Sequence, residues 1–139
     1  MSITIRTFRP EDYDDALALW KSVPGIGLSG ADGRAEIQAY LARNPGMSHV
    51  ACDGERLVGT ILCGHDGRRG LIHHLVSAAD VRRQGVARRL LEAGMVGFRA
   101  AGIQKVHLFV YHTNQDGMAF WRAVGAQYRS ELALFSLPV

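Results

Sequence analysis

Apolar and polar residues follow two different periods along the chain, and each period predicts one kind of element. Short stretches of alternating or continuous apolar residues are typical of strands, whereas apolar residues three or four positions apart are typical of helices. The first pattern predicts strands at Ile3–Phe8, Ser48–Cys52, Arg56–Cys63, Leu71–Ser77, Lys105–Tyr111 and Leu132–Leu137. The second predicts helices at Pro10–Ser22, Arg34–Arg43, Gly85–Ala101 and Gln115–Val124.

Turn and cap residues fall between these segments. Asp53-Gly54 is a strong hairpin signal, and Gly102 is placed to cap the longest helix at its C-terminus. The stretch Lys105–Tyr111 is so apolar that we expect it in the centre of a sheet. The order of elements predicts a mixed α/β fold around one twisted sheet, in a single domain that spans residues 1–139.

The composition narrows the class of protein. Of the 139 residues, 47% are hydrophobic and 21% are charged, which is the balance of a soluble globular domain. No apolar run approaches the roughly 20 residues of a membrane span, and the N-terminus lacks a signal-peptide pattern. Cys52 and Cys63 are predicted roughly 20 Å apart, too far for a disulfide, as expected in a reducing compartment. We therefore expect a cytoplasmic protein without membrane contact.

The basic residues are concentrated in one short stretch. The formal net charge is +3, nearly all the basic residues are arginines, and four of them lie between Arg82 and Arg89. Such a cluster is either a solvated surface or a site for a phosphate-bearing ligand, because guanidinium presents a planar fork of donors. Binding to nucleic acid is disfavoured, since the chain lacks interleaved aromatic residues and any known nucleic-acid-binding module.

The segment from Leu75 to Leu91 contains the clearest chemical signal. Here a predicted strand ends, the chain turns, and the longest helix begins at Gly85. The first N–H groups of a helix lack internal partners and carry a partial positive charge, and a glycine lets a bulky anion approach them. With arginines on both sides, this arrangement suits a diphosphate. The spacing fits neither a P-loop nor a Rossmann dinucleotide site.

Two motifs in this half of the chain resemble one known family. Arg82-x-x-Gly85-x-Ala87 resembles the Arg/Gln-x-x-Gly-x-Gly/Ala signature of the GNAT N-acetyltransferases. A second signature, Asn-x-x-Ala-x-x-x-Tyr-x-x-x-Gly-Phe, is matched in part: Asn114 is present, Gly117 stands for the alanine, and Trp121 for the tyrosine. The chain looks most similar to small bacterial members related to ribosomal-protein alanine acetyltransferases, the RimI/YpeA-like group.

The resemblance implies the acyl-CoA N-acyltransferase fold, a mostly antiparallel twisted sheet flanked by helices, with acetyl-CoA as co-substrate. Leu75 and Val76 would pair with the pantetheine arm, and the N–H of Val76 would polarise the thioester carbonyl. Amides around Gly85 would hold the pyrophosphate. The cofactor-binding residues implied in this way are Leu75, Val76, Arg82, Arg83, Gln84, Gly85, Val86, Ala87, Arg88, Asn114 and Gly117.

Two residues depart from the family pattern at the catalytic positions. His73 stands where a glutamate base is common, and it is either a base near neutral pH or a hydrogen-bonded core residue. Because neighbouring strand residues point to opposite faces, we expect at most one of His73 and His74 to face the substrate, and no metal site at this pair. Trp121 cannot donate a proton as the family's tyrosine does, so either the thiolate leaves unaided or Tyr111, His112 or water supplies the proton. Trp121 itself is either a catalytic position or core packing.

The predicted function is transfer of an acetyl group from acetyl-CoA to a primary amine of a small molecule or a protein. The alternative is a CoA-binding sensor or regulatory module with weak or no catalysis. The glycine-rich loop Val23–Gly33 is either a flexible connector or the acceptor-recognition segment. The sequence leaves the acceptor and the oligomeric state open, a homodimer included.

Overall fold

The computed structural model describes residues 2–139, in which five strands and four α-helices are present. The strands are β1 (Ile3–Thr7), β2 (His49–Asp53), β3 (Arg56–His65), β4 (Gly70–Ser77) and β5 (Val106–His107). The helices are α1 (Tyr13–Ser22), α2 (Arg34–Arg43), α3 (Val86–Ala100) and α4 (Gln115–Ala123). Short 3₁₀ turns occur at Pro10–Asp12, Gly30–Asp32 and Ala79–Val81.

The strands form one mixed sheet in the order β1-β2-β3-β4-β5. The first four are antiparallel neighbours, whereas β4 and β5 are parallel. This arrangement confirms the predicted α/β fold class, with a mostly antiparallel sheet flanked by helices. Cys52 on β2 and Cys63 on β3 are both buried and free.

Side chains on the two faces of β3 show which helices cover each face of the sheet. A Cβ atom on Gly94 of α3 would lie 2.7 Å from Sγ of Cys63, so α3 packs closely on that face. On the other face, Trp20 of α1 donates from Nε1 to Oγ1 of Thr60 at 2.9 Å. Successive residues of a strand point to opposite faces. A Cβ on Gly64, which shares the face of Thr60, would lie 2.7 Å from the hydroxyl oxygen of Tyr40 on α2. The sheet therefore lies between α3 on one side and α1 and α2 on the other.

The chain divides into two compact units, Met1–Phe109 and Val110–Val139. The first contains the whole sheet with α1, α2 and α3, and the second contains α4. Asn114 is the N-cap residue of α4, and its side chain accepts a hydrogen bond from the N–H of Gly117 at 3.0 Å. Gly125 follows the helix with a φ of +93°, the left-handed conformation typical of a residue just past a helix end.

Two predicted strands are corrected by the structure. The stretch Lys105–Tyr111 contributes only Val106–His107 to the sheet, and it is the last strand in the sheet order. The stretch Leu132–Leu137 has no strand structure, and the side chains of Leu132 and Leu134 are exposed. An apolar run shows only that a segment is suited to pair with other strands in a β-sheet. Whether it becomes a strand depends on a partner at the right place.

Candidate active site

Strands β4 and β5 diverge soon after they meet. They pair at only two positions, Gly70 with Val106 and Leu71 with His107. Strand β4 continues to Ser77 with β3 as its partner on the other side. Within the unit Met1–Phe109, the later part of β4 therefore has one edge without a neighbouring strand. A free strand edge presents backbone groups that an extended ligand can pair with.

The hydrogen bonds on the opposite side show which amides reach this free edge. The N–H of Ala78 donates to the carbonyl of Val58 on β3 at 2.8 Å. Alternate residues of a strand direct their amides the same way, so the N–H of Val76 also points to β3. The predicted oxyanion role of the Val76 N–H is therefore corrected, because that amide belongs to the sheet ladder.

Leu75 and Ser77 have the opposite orientation. The carbonyl of His74 accepts from Oγ1 of Thr60 on β3 at 2.8 Å, and in a trans peptide the next N–H, that of Leu75, points the other way. The carbonyl of Val76 also lies on the β3 side, only 3.1 Å from where a Cβ of Gly59 would be. The following N–H, that of Ser77, therefore points to the free edge. The amides of Leu75 and Ser77 on β4 therefore point to the free edge.

A β-bulge at His74 changes the direction of the neighbouring side chains. The pairing of β3 with β4 shifts register between Thr60 and Leu62, and His74 has a φ of +47°. Left-handed backbone is uncommon for a residue with a side chain and occurs often at functional sites. The rings of His73 and His74 lie 6.5 Å apart, both on the side of α1 and α2. The expectation that the two point to opposite faces is wrong, because the extra residue breaks the alternation.

His74 is held by contacts from three directions. Its Nε2 lies 2.7 Å from Oδ1 of Asp32, and its ring packs against Trp20 with the centroids 4.6 Å apart. Its carbonyl accepts from Thr60, which also accepts from Trp20. Asp32 lies in the Val23–Gly33 loop, and its carbonyl accepts from the hydroxyl of Tyr13 at 2.7 Å. The loop is therefore fastened to β4 at its C-terminal end.

His73 has fewer contacts and is partly exposed. Its ring meets the ring of Tyr40 on α2 edge-on, with centroids 6.3 Å apart. Burial lowers the pKa of His73 below its usual value of about 6.5, the neighbouring His74 lowers it further, and Asp32 opposes the shift. The imidazole is therefore neutral near pH 7 and has a lone pair with which to accept a proton.

The start of α3 has the features that the sequence predicts for a phosphate site. Gly85 is the N-cap residue with a φ of +77°, and no side chain caps the helix. The first helical bond runs from the N–H of Arg89 to the carbonyl of Gly85, so the amides of Val86, Ala87 and Arg88 have no partner within the helix.

The side chains around this helix start are mostly exposed. Exposed residues are Arg82, Arg83, Gln84, Gly85 and Arg88, whereas Ala87 is half-buried and Val86 is buried. Arg83 has a φ of +68°, so the backbone turns sharply here. The guanidinium of Arg89 instead donates to the carbonyl of Ile3 on β1 at 2.9 Å, which gives it a structural contact. Free amides next to exposed guanidinium groups fit a diphosphate.

The chain matches the acetyltransferase (GNAT) family over residues 13–126. It belongs to the GNAT acetyltransferases. An acetyltransferase of Photorhabdus laumondii is 31% identical to it over 110 residues, which are 79% of this chain and 76% of that protein. The predicted family is thereby confirmed.

Solved structures agree with this assignment at the level of fold. AAC(6')-Iy in complex with the bisubstrate analogue CoA-S-monomethyl-acetylneamine has a TM-score of 0.79 at 14% identity, with all of both chains covered. A ribosomal-protein-alanine N-acetyltransferase from Brucella melitensis biovar Abortus 2308 has a TM-score of 0.75 at 18% identity, covering 99% of this chain and all of that one. The RimI/YpeA-like subgroup stays a prediction.

The residues of the second GNAT signature lie in the second compact unit. A Cβ on Gly117 would lie 2.7 Å from Nδ2 of Asn114, so the cap side chain packs closely against this position. Trp121 follows one turn later on α4, and its ring meets that of Phe120 edge-on at 5.2 Å. The roles that the resemblance implies for Asn114, Gly117 and Trp121 stay predictions.

Sequence reasoning missed Asp32 and the bulge at His74. Ser29 and Asp32 form a reciprocal capping pair, in which Asp32 accepts from the N–H of Ser29 at 2.9 Å. That Ser-x-x-Asp spacing was the available signal that the loop has a defined structure.

Within residues 2–139, no group of three or more His, Cys, Asp or Glu residues has the geometry of a metal site. No helix in the same range is long and apolar enough to cross a bilayer.

Proposed function

We propose that this GNAT protein transfers an acetyl group from acetyl-CoA to a primary amine by direct attack. The observation that carries the proposal is the free edge of β4, with the amides of Leu75 and Ser77, leading into the uncapped start of α3 at Gly85. An extended amide-containing arm ending in a diphosphate matches both parts of this surface. In a related fold, AAC(6')-Iy was solved with a CoA-containing bisubstrate analogue, which supports the same use here.

Each part of the surface then has one task. The amides of Val86, Ala87 and Arg88 hold the pyrophosphate, and the exposed arginines Arg82 and Arg83 add charge, with Gln84 beside them. Ser77 pairs with the pantetheine arm. The N–H of Leu75, next to the two histidines, faces the thioester carbonyl oxygen, where negative charge develops. Acetyl-CoA supplies the activated acetyl group, and the protein positions it and supplies hydrogen-bond donors to its oxygens.

His73 is the proposed base. A lysine-type ammonium has a pKa of about 10.4, and an α-ammonium about 7.7–8.0, so the acceptor must lose a proton before it attacks. The imidazole of His73 takes that proton. The amine nitrogen forms a bond to the carbonyl carbon and gives its extra proton to water, the bond from carbon to sulfur breaks, and the thiolate leaves. A thiol has a pKa near 8.5, so the thiolate departs and is protonated by water without a side-chain acid.

The competing function is a CoA-binding module without turnover. It is favoured by the Trp121 that replaces the acid tyrosine and by the lack of a carboxylate on β4 and on β5 as the structure defines them. The test is thiol release from acetyl-CoA with a panel of primary amines, run alongside calorimetric binding of CoA. Binding together with amine-dependent release supports the transferase. Binding with no release from any amine supports the module, and no binding at all refutes both.

A further inference from the structure

A second concave surface lies on the α2 side of the sheet, away from the start of α3. It is a cleft of about 520 Å³ between α2, the turn that joins β3 to β4, and the first residues of β4 and β5. Small-molecule sites commonly have volumes of about 300–1,000 Å³. We call it the Tyr40–Arg69 cleft. Its lining includes Tyr40, Arg43, Gly64, Arg69 and Leu71.

The cleft carries more positive than negative charge, because three arginines line it, Arg43, Arg68 and Arg69, against the one carboxylate of Asp66. Neither Arg43 nor Arg69 forms an ion pair within residues 2–139, and the only side-chain hydrogen bond of Arg69 there goes to the carbonyl of Arg68 at 3.2 Å. The one carboxylate in the lining, that of Asp66, accepts from the amides of Arg68 and Arg69 at 2.8 and 2.9 Å. The Asp66 carboxylate therefore stabilises the backbone of the turn between β3 and β4.

An independent observation is the hydroxyl of Tyr40. Its oxygen is the single buried side-chain polar atom within residues 2–139 that has no hydrogen-bond partner in the protein. Buried polar atoms are nearly always paired, so such an atom in a cleft points to a ligand. Gly64 makes room for it, because a Cβ there would lie 2.7 Å from both the Tyr40 oxygen and Nδ2 of Asn44. Burial raises the pKa of the Tyr40 phenol, so it keeps its proton and can donate.

The cleft also adjoins the proposed base. Leu71 lines the cleft and lies two residues before His73, so the two share a face of β4, about 7 Å apart along the strand. The ring of Tyr40 touches the ring of His73 from the same side. A small molecule with one end in the cleft therefore needs only a short carbon chain to bring its other end to His73.

We propose that the Tyr40–Arg69 cleft binds a carboxylate of the acceptor, so that the substrates are small primary amines that also carry a carboxylate. Arg43 and Arg69 supply the charge, and Tyr40 donates to one carboxylate oxygen. The nearby Asp66 disfavours the second negative charge of a phosphate. This inference rests on the proposed transferase function for the fate of the amine, but the carboxylate site stands on its own geometry.

The first experiment measures binding without turnover. Butyrate and butyramide, which have no amine, are titrated into the CoA-bound protein and followed by amide chemical shifts. Butyrate should shift the amides of Gly64, Arg69 and Gly70, and butyramide should not. Tyr40→Phe should remove the butyrate shifts while the melting temperature stays equal or rises, since it deletes only an unpaired oxygen. Equal responses to both probes, or unchanged butyrate binding in Tyr40→Phe, would overturn the site.

The second experiment measures selectivity. For 4-aminobutyrate against 4-aminobutanamide, kcat/KM should favour the carboxylate by about 10- to 100-fold, as expected for a hydrogen-bonded charge. Arg43→Gln and Arg69→Gln should reduce that ratio, whereas Arg99→Gln, on the far surface of α3, should not. Equal rates for the two amines, or better turnover of an acidic peptide, would overturn the inference and leave the transferase intact. Butyrate binding without turnover of any amine would support the site and refute the transferase.

Discussion

Nε2 of His74 and Oδ1 of Asp32 lie 2.7 Å apart, and both side chains are only 12% exposed. The pair joins two segments far apart in sequence, the bulge of β4 and the loop between α1 and α2. The loop thereby has a defined position beside the proposed base His73. A segment tied down in this way can shape an acceptor site, which an unattached connector cannot.

Asp32→Asn tests this contact. The substitution keeps the shape but removes the charge, and losing a buried charged hydrogen bond lowers the free energy of unfolding by about 1–3 kcal/mol. Because Asp32 holds the loop beside His73, whereas the pyrophosphate is assigned to the start of α3, the KM of the acceptor should rise and the Kd of acetyl-CoA should change little. The control is Asp14→Asn, which breaks the exposed pair with Arg34 and should cost under about 1 kcal/mol. A raised acetyl-CoA Kd in Asp32→Asn would contradict the separation of the two sites.

Gly85→Val tests the phosphate site. Valine is strained at a φ of +77°, so the variant should lose about 1–2 kcal/mol of stability but stay folded. Its side chain also blocks the approach of a diphosphate to the amides of α3, so the rise in melting temperature with CoA should disappear. Gly46→Val is the matched control, with a φ of +75° and open space around the Cβ position. It should show the same loss of stability and keep the CoA shift. A normal CoA shift in both variants would place the cofactor elsewhere.

His73→Gln tests the base. Turnover should fall roughly 10²- to 10⁴-fold while the Kd of acetyl-CoA is unchanged. In the native protein, burial lowers the pKa of His73 from its usual value of about 6.5, so the neutral base persists to lower pH. The acid limb of the kcat/KM profile, which reports groups of the free enzyme, should therefore fall below pH 6.5 and be absent from the variant. An unchanged limb in His73→Gln would show that His73 is not the titrating base.

The same shift predicts how stability depends on pH. A histidine whose folded pKa is depressed binds protons more readily when unfolded, so its contribution is complete above pH 6.5. Stability is lost as the pH falls below 6.5, through the folded pKa. His73→Gln should flatten this part of the curve in chemical denaturation series. A steeper dependence in the variant would mean that His73 gains a proton on folding.

Trp121 stands where the GNAT signature has a tyrosine. A phenol can protonate the leaving thiolate, whereas an indole N–H only donates a hydrogen bond. We expect Trp121→Tyr to stay folded and to raise the rate of thiol release at saturating acetyl-CoA. Trp121→Phe, the matched control, adds no acid and should not raise it. Equal rates for the two variants would show that the position contributes packing only.

The sequence by itself determined the features that depend on neighbouring residues in the chain. The turn at Asp53-Gly54 lies between two strands, α2 occupies Arg34–Arg43 as predicted, and α3 starts next to Gly85. The hydrophobic period, the helix caps and the glycine conformations each depend on a few neighbouring residues, so they can be predicted from the local sequence. The same locality explains why the family motif around Gly85 could be recognised.

The tertiary structure alone decided what depends on a partner distant in sequence. The register of β3 against β4 creates the bulge that turns His73 and His74 to one side, and it sends the amides of Leu75 and Ser77, and not that of Val76, to the free edge. Ladder pairing also limits β5 to two residues, although the apolar run is longer. Pairing and register arise from contacts across the sheet, and a periodic pattern in one segment does not specify which partner it meets or where the ladder slips.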